Sequence, residues 1–270
     1  NISYVKWDMN RHLTDLGSAY LDRKNQNELS HRYVLGLYQV METLTERFPQ
    51  VLFESCSSGG GRFDAGMLYY MPQTWTSDNT DAVCRLKIQH GTSFLFPTVT
   101  MGAHVSACPN HQTGNTNPLE TRFNIACGGV LGYELDMTKF TPQEMEQVKE
   151  QITFYKANRK LLQYGDQYRL GGSGTEGFIT VSKDKNSAIA VVNLTKIYPS
   201  APLQTIRFKG LNPSALYEIS ERGGNVLFTV SGELLMNGDF PLRNMFDFET
   251  VSKNSGCILS RMYIFKKAKP

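Results

Sequence analysis

Ile2-Ser-Tyr-Val-Lys-Trp-Asp8, then Val51-Leu-Phe-Glu54, then Ser57-Ser-Gly-Gly-Gly61 form the stretch on which the fold turns. Residues 2–7 favour extended backbone and stop at Asp8. Between the two apolar runs, residues 31–48 carry Tyr33, Leu37, Met41, Leu44 and Phe48 at helical spacing, which predicts one apolar helix face. The second run halts at a serine–glycine cluster. Parallel strands cannot be joined by a tight hairpin and need a crossover, usually a helix, so strand–helix–strand in this order predicts a parallel βα unit.

The pattern continues outward. Residues 73–76 read as a strand ending at Ser77-Asp78, and residues 81–90 as a helix. Residues 94–101 read as a strand, 118–126 as a helix, and 128–135 as a strand ending at Asp136. Residues 141–163 form a long helical pattern. It opens on Thr141-Pro-Gln-Glu144, a capping box with proline at the first helical position. Five strands of this kind predict the last five strands of a (β/α)8 barrel, a fold of about 250 residues. From about residue 171 the pattern is β only. Runs at 177–182, 188–194, 205–208, 215–219, 226–230 and 261–265 alternate with turn clusters at 183–186, 211–214 and 222–225. This predicts an antiparallel β-sandwich. The domains are therefore drawn as residues 1–170, the partial barrel, and 171–270, the β-sandwich, with Gly171-Gly-Ser-Gly174 at the join.

Composition narrows the function classes. The chain has 270 residues, is 40% hydrophobic and 20% charged, and has a formal net charge of +3. Such a mild charge without a basic stripe argues against a nucleic-acid partner. No apolar run approaches the roughly 20 residues that span a membrane. The chain opens without an initiator Met or a signal-peptide pattern, and looks like the middle of a protein. Five cysteines (56, 84, 108, 127 and 257), an odd number at scattered spacings, predict reduced thiols in a cytoplasmic protein. The sequon at Asn193-Leu-Thr195 matters only in a secreted protein.

Barrel enzymes carry their chemistry at the C-terminal ends of strands. Those ends read Lys6-Trp-Asp8, Glu54-Ser-Cys56-Ser-Ser-Gly-Gly-Gly61, Trp75-Thr-Ser-Asp78, Met101-Gly-Ala-His104 and Glu134-Leu-Asp136. Acidic groups recur at four of the five. Retaining glycosidases need two carboxylates about 5–5.5 Å apart, one as nucleophile and one as acid/base. The competing reading of a strand-end carboxylate is a helix cap or loop ion pair, and Ser77-Asp78-Asn79-Thr80 opens a helix that any of them could cap. Glu54 also fits a buried scaffold role. Asp8 stands out, because Lys6 beside it favours ionisation and Trp7 offers a face for a sugar. The glycine run lacks the Gly-Lys-Ser/Thr ending of a phosphate loop. His104, Cys108 and His111 lack a fourth ligand for zinc.

Several long motifs together resemble the bacterial α-galactosidases of glycoside hydrolase family 36. They are Tyr4-Val-Lys-Trp-Asp-Met-Asn-Arg11, Phe53-Glu-Ser-Cys-Ser-Ser-Gly-Gly-Gly-Arg-Phe-Asp64, Trp75-Thr-Ser-Asp-Asn-Thr-Asp81, Pro97-Thr-Val-Thr-Met-Gly-Ala-His-Val-Ser106 and Gly128-Gly-Val-Leu-Gly-Tyr-Glu-Leu-Asp136. The resemblance implies a retaining hydrolase acting on terminal α-linked galactose, as in melibiose and raffinose. It implies Asp8 as nucleophile and Asp78 as acid/base. It places sugar-binding segments on Lys6, Trp7, Met9 and Asn10, and on Cys56, Ser57, Ser58 and Gly59. It implies no cofactor and no metal, α-galactoside oligosaccharides as partners, and a homotetramer of the full-length protein. A raffinose synthase-like galactosyltransferase, an α-N-acetylgalactosaminidase and a non-catalytic sugar-binding piece are the alternatives. Half a barrel leaves strand edges unpaired, so the chain is expected to be part of a longer enzyme and need not be active alone.

Overall fold

The computed structural model describes residues 2–10, 13–172, 174–195, 204–242 and 258–269. Arg11 of the first motif, Ser173 of the expected join and Cys257 lie outside the described residues. The chain divides into two compact units, Asn1–Asp78 with Thr100–Gly102, and Asn79–Val99 with Ala103–Pro270.

The first unit is built from β1 (Tyr4–Asp8), α1 (Leu29–Arg47), β2 (Leu52–Cys56), α2 (Ala65–Tyr70), β3 (Gln73–Trp75) and the first residues of β4 (Met101–Ser106). β1 pairs with β2, β2 with β3, and β3 with β4, all in parallel. The α1 stripe does what its spacing predicts in the middle of the helix. Met41 is buried with Phe53, Met67 and Met71, and Leu37 and Leu44 pack on that cluster. At its ends the stripe departs from expectation, with Tyr33 partly exposed and Phe48 beyond the helix as its C-cap. The six residues of α2 are too few to show a period. It starts because the Asp64 side chain accepts from the Met67 N–H.

The second unit holds α3 (Ala82–Thr92), the rest of β4, α4 (Leu119–Ala126), β5 (Val130–Glu134) and α5 (Pro142–Tyr164). The expected capping box is present, with Thr141 bonded to Glu144 in both directions. Together the parallel strands have the order β1-β2-β3-β4-β5, the pattern of a partial (β/α)8 barrel. The strand expected at 94–101 begins later, at Met101. Phe94 N–H bonds Gly91 O, and Leu95 and Phe96 N–H bond Thr92 O, so the α3 end continues as turns. Pro97 then offers no N–H, and Thr98–Thr100 is a 3-10 turn. Met101–His104 therefore lies inside a strand rather than at its end.

The remaining strands among the described residues are β6 (Asp166–Gly172), β7 (Thr175–Val181), β8 (Ser187–Leu194), β9 (Thr205–Ile206), β10 (Leu216–Glu221), β11 (Val226–Ser231), β12 (Phe240–Pro241) and β13 (Leu259–Lys267). Six of them form an antiparallel sheet of order β11-β10-β13-β8-β7-β6, and β12 pairs with β9 in a second, two-stranded sheet. The join expected at 171–174 falls in the β6–β7 hairpin. The sheet alternates. Ala188, Ala190 and Val192 face a core shared with Phe208 and Phe240, while Ile189, Val191 and Met262 pack with Phe123, Val148 and Leu162 of α4 and α5. Both faces of β8 are covered, which explains its nearly continuous apolar sequence. A short helix, α6 (Gly232–Asn237), caps on Ser231 and was not legible in the sequence. The chain thus joins a partial (β/α)8 barrel to antiparallel sheets layered over an aromatic core.

Candidate active site

Successive strand residues face opposite sides, so Lys6 and Asp8 share one face of β1. The register sets Lys6 beside Glu54 and Asp8 beside Cys56, and Glu54 beside Gln73. Two polar layers result. In the first, Lys6 Nζ lies 4.0 Å from Glu54 Oε1 and 4.9 Å from the centre of the Trp75 ring. Gln73 Nε2 donates to Glu54 Oε2 at 3.0 Å. Glu54 is only 2% exposed, and it fits the scaffold role weighed for it.

The second layer surrounds Asp8. Asn10 Nδ2 donates to Asp8 Oδ2 at 2.8 Å. The Cys56 thiol, on the residue paired with Asp8 in the strand register, is the largest cause holding Asp8 below its ordinary pKa. Desolvation opposes that shift, and Asn10, the Lys6 charge and the Met9 N–H add to it. Burial pushes the Cys56 thiol up to about 11, so it remains protonated and can donate. That excludes a thiolate nucleophile at neutral pH.

The serine–glycine loop wraps this layer. Ser58 N–H donates to Asn10 Oδ1 at 2.8 Å, and Ser57 Oγ donates to Met9 O at 2.6 Å. Gly59 has φ +86°, and a Cβ there would lie 2.5 Å from Ser77 Cα and 3.1 Å from Asp78 N. Only glycine permits that approach. Gly59→Ala is expected to cost roughly 1–2 kcal/mol in backbone strain alone. Its melting temperature should fall by about 2–8 °C, and the displaced Ser77–Asp78 backbone should lower activity at least about tenfold. Calorimetry and initial rates on the intact protein check both.

Asp78 lies just past β3, and its Oδ1 accepts from the Trp75 indole at 3.2 Å. The helix cap that Asp78 could have supplied belongs to Asp81. That side chain is 1% exposed and accepts from the Val83 and Cys84 N–H groups. Its other oxygen accepts from Thr113 Oγ1 at 2.7 Å. Asp78 is left exposed and able to meet a ligand.

The first unit therefore gathers Lys6, Asp8, Asn10, Cys56, Ser58, Gly59, Trp75 and Asp78. Trp7 joins through its carbonyl, which accepts from Arg62 Nη2 at 3.1 Å. His104 and Glu134 form their own pair at 3.0 Å in the second unit. Among the described residues no group of three or more His, Cys, Asp or Glu side chains is placed to hold a metal ion. Sequence reasoning gave no role to Arg62, because an arginine six residues past a strand end carries no periodic or spacing signal.

A family model described as Melibiase matches residues 1–165. The chain belongs to the melibiase family. A second model, the glycosyl hydrolase family 36 C-terminal domain, matches residues 176–253 of this melibiase-family chain. The chain is 55% identical over 225 residues to alpha-galactosidase AgaA of Geobacillus stearothermophilus, covering 82% of this chain and 31% of that protein. It is 42% identical to alpha-galactosidase Mel36A of Lactobacillus acidophilus, covering 93% and 35%. The crystal structure of the Geobacillus family 36 enzyme superposes with a TM-score of 0.91 at 47% identity, covering 99% of this chain and 36% of that one. The Lactobacillus brevis alpha-galactosidase superposes at 0.93 with 43% identity and the same coverage. The chain thus spans about a third of the length of the curated relatives it matches.

Proposed function

We propose that the protein bearing this chain is a retaining α-galactosidase that releases terminal α-linked galactose from oligosaccharides such as melibiose and raffinose. Asp8 attacks the anomeric carbon and forms a galactosyl ester while Asp78 protonates the departing oxygen. Asp78 then takes a proton from water, which opens the ester. Lys6, Trp7, Met9, Asn10, Cys56, Ser57, Ser58 and Gly59 hold the sugar.

The observation that carries this reading is the state of Asp8. It is an exposed strand-end carboxylate, yet Cys56, Asn10 and Lys6 all stabilise its anion, as a nucleophile requires. The relatives support the substrate class. The Geobacillus enzyme has been solved with raffinose in a variant carrying an Asp-to-Asn change, and with stachyose in one carrying an Asp-to-Ala change. Those two aspartates are seventy residues apart in that protein, as Asp8 and Asp78 are here. Intact substrate persists in a crystal when a catalytic group has been disabled, so the shared spacing favours this pair.

Proton NMR of early product tests the stereochemistry. Double displacement predicts α-galactose first, with the β anomer appearing only at the rate of mutarotation. β-Galactose as first product would replace this mechanism with a single displacement. A cytoplasmic homotetramer is the proposed state of the intact protein, and light scattering reads the assembly. No helix among the described residues is long and apolar enough to cross a membrane.

A further inference from the structure

We propose that Arg62 is a positioning residue for the nucleophilic carboxylate, clamping the ends of β1 and β2 so that the groups around Asp8 meet in one geometry. The inference rests on the reading of Asp8 as nucleophile. Arg62 comes from the loop after β2, between the glycine run and Asp64, which caps α2. Its Nη2 donates to Trp7 O at 3.1 Å and to Cys56 O at 2.8 Å. One nitrogen therefore bridges two strands, at the residue before Asp8 and at the residue paired with Asp8 in the register. Cys56 O accepts the Met9 N–H at 3.0 Å as well, so this carbonyl ties both sides of Asp8 to β2. Nη1 lies 3.8 Å from Met9 Sδ, which also accepts from the Tyr33 hydroxyl at 3.2 Å.

The β1–β2 ladder stops at Asp8 and Cys56, with the Met9 N–H to Cys56 O bond as its last backbone link. Beyond them the chain is irregular, and the backbone at Ser58 and Gly59 is left-handed. Side-chain clamps take over: Ser57 and Asn10 tie the residues just past the strands, and Arg62 ties the strand-end carbonyls of Trp7 and Cys56 to one group. The planar guanidinium holds the two Nη2–H bonds in fixed directions, whereas a lysine ammonium on a flexible stem turns freely. Displacing a reacting group by about 1 Å costs on the order of a hundredfold in rate. Arg62 borders a cavity of about 380 Å³ shared with Met9, Tyr33, Ser57 and Met67, so a small cation can reach the place its guanidinium leaves.

The test uses Arg62→Ala and Arg62→Lys in the intact protein, with an activated 5-fluorogalactosyl fluoride that labels the nucleophile. Both variants are expected to label Asp8, with Arg62→Ala slower by roughly a hundredfold and Arg62→Lys by about tenfold. KM for an aryl α-galactoside should stay within about threefold, and methylguanidinium should restore part of the Arg62→Ala rate. A purely structural role would lower the melting temperature and leave the labelling rate of the folded fraction unchanged, which overturns the proposal. If Arg62→Ala does not fold, labelling of Arg62→Lys at the unsubstituted rate overturns it equally. Wild-type label on a residue other than Asp8 would instead remove the nucleophile assignment on which the proposal rests.

Discussion

Asp8→Asn is expected to abolish turnover of every α-galactoside by roughly 10⁴-fold or more, the scale that follows loss of a covalent nucleophile. The amide keeps the Asn10 and Cys56 neighbourhood nearly isosteric but cannot form the galactosyl ester. The fold should be intact, because Asp8 is exposed and adds little to stability. Asp8→Gly opens space on the attacking face. There external azide should restore measurable rate on an activated aryl α-galactoside and give β-galactosyl azide, the product of one inversion. Near-normal turnover of Asp8→Asn without a rescue nucleophile would remove Asp8 from this role. The pH profile follows from the same contacts. The folded pKa of Asp8 is lowered, so the carboxylate is ionised throughout the neutral range. The acid limb of kcat/KM should lie below the ordinary carboxylate value. The small stability this group contributes is present above its unfolded pKa and lost as pH falls through the folded one.

Asp78→Ala should separate substrates by their leaving groups. The glucose of melibiose leaves as a poor, basic alkoxide and needs a proton, so the galactosylation rate with melibiose should fall by about 10²–10⁴-fold. An aryl galactoside with an acidic phenol needs little protonation and should lose less than about tenfold in the same step. Asp81→Ala is the informative contrast. It removes the α3 cap and a buried oxygen that Thr113 bonds, so it should cost about 0.5–2 kcal/mol of stability. Equal losses on both substrates with a lowered melting temperature for Asp78→Ala would reassign Asp78 to a structural part.

The elements whose signals are local were legible in the sequence. The capping box fixed the start of α5, and the alternating strand–helix order gave the parallel sheet. Strand-end reasoning picked out Asp8, because Lys6 and Trp7 precede it and β1 does end there. What failed depended on turn chemistry or on partners distant in sequence. The apolar run at 94–101 reads as a strand, yet Phe94 and Leu95 are exposed residues of a helix end. The α3 cap was expected among Ser77–Thr80, yet it is Asp81, one residue further on, which only the three-dimensional placement decides. Arg62 was invisible, because its role consists of two carbonyls contributed by different strands. The Gly59 approach to Ser77 and Asp78 likewise exists only once β2 and β3 are paired.

Double displacement requires that Asp8 becomes covalently galactosylated. The direct measurement is mass spectrometry of peptic peptides from the intact protein after brief reaction with an activated 5-fluorogalactosyl fluoride. The electron-withdrawing fluorine slows ester hydrolysis and lets the intermediate accumulate. One fluorogalactosyl adduct is expected on the peptide containing Lys6-Trp7-Asp8, with fragmentation placing it on Asp8, and no adduct in Asp8→Asn. An adduct on Asp78, on Cys56 or on any other residue, or full turnover of the reagent with no adduct at all, would contradict it.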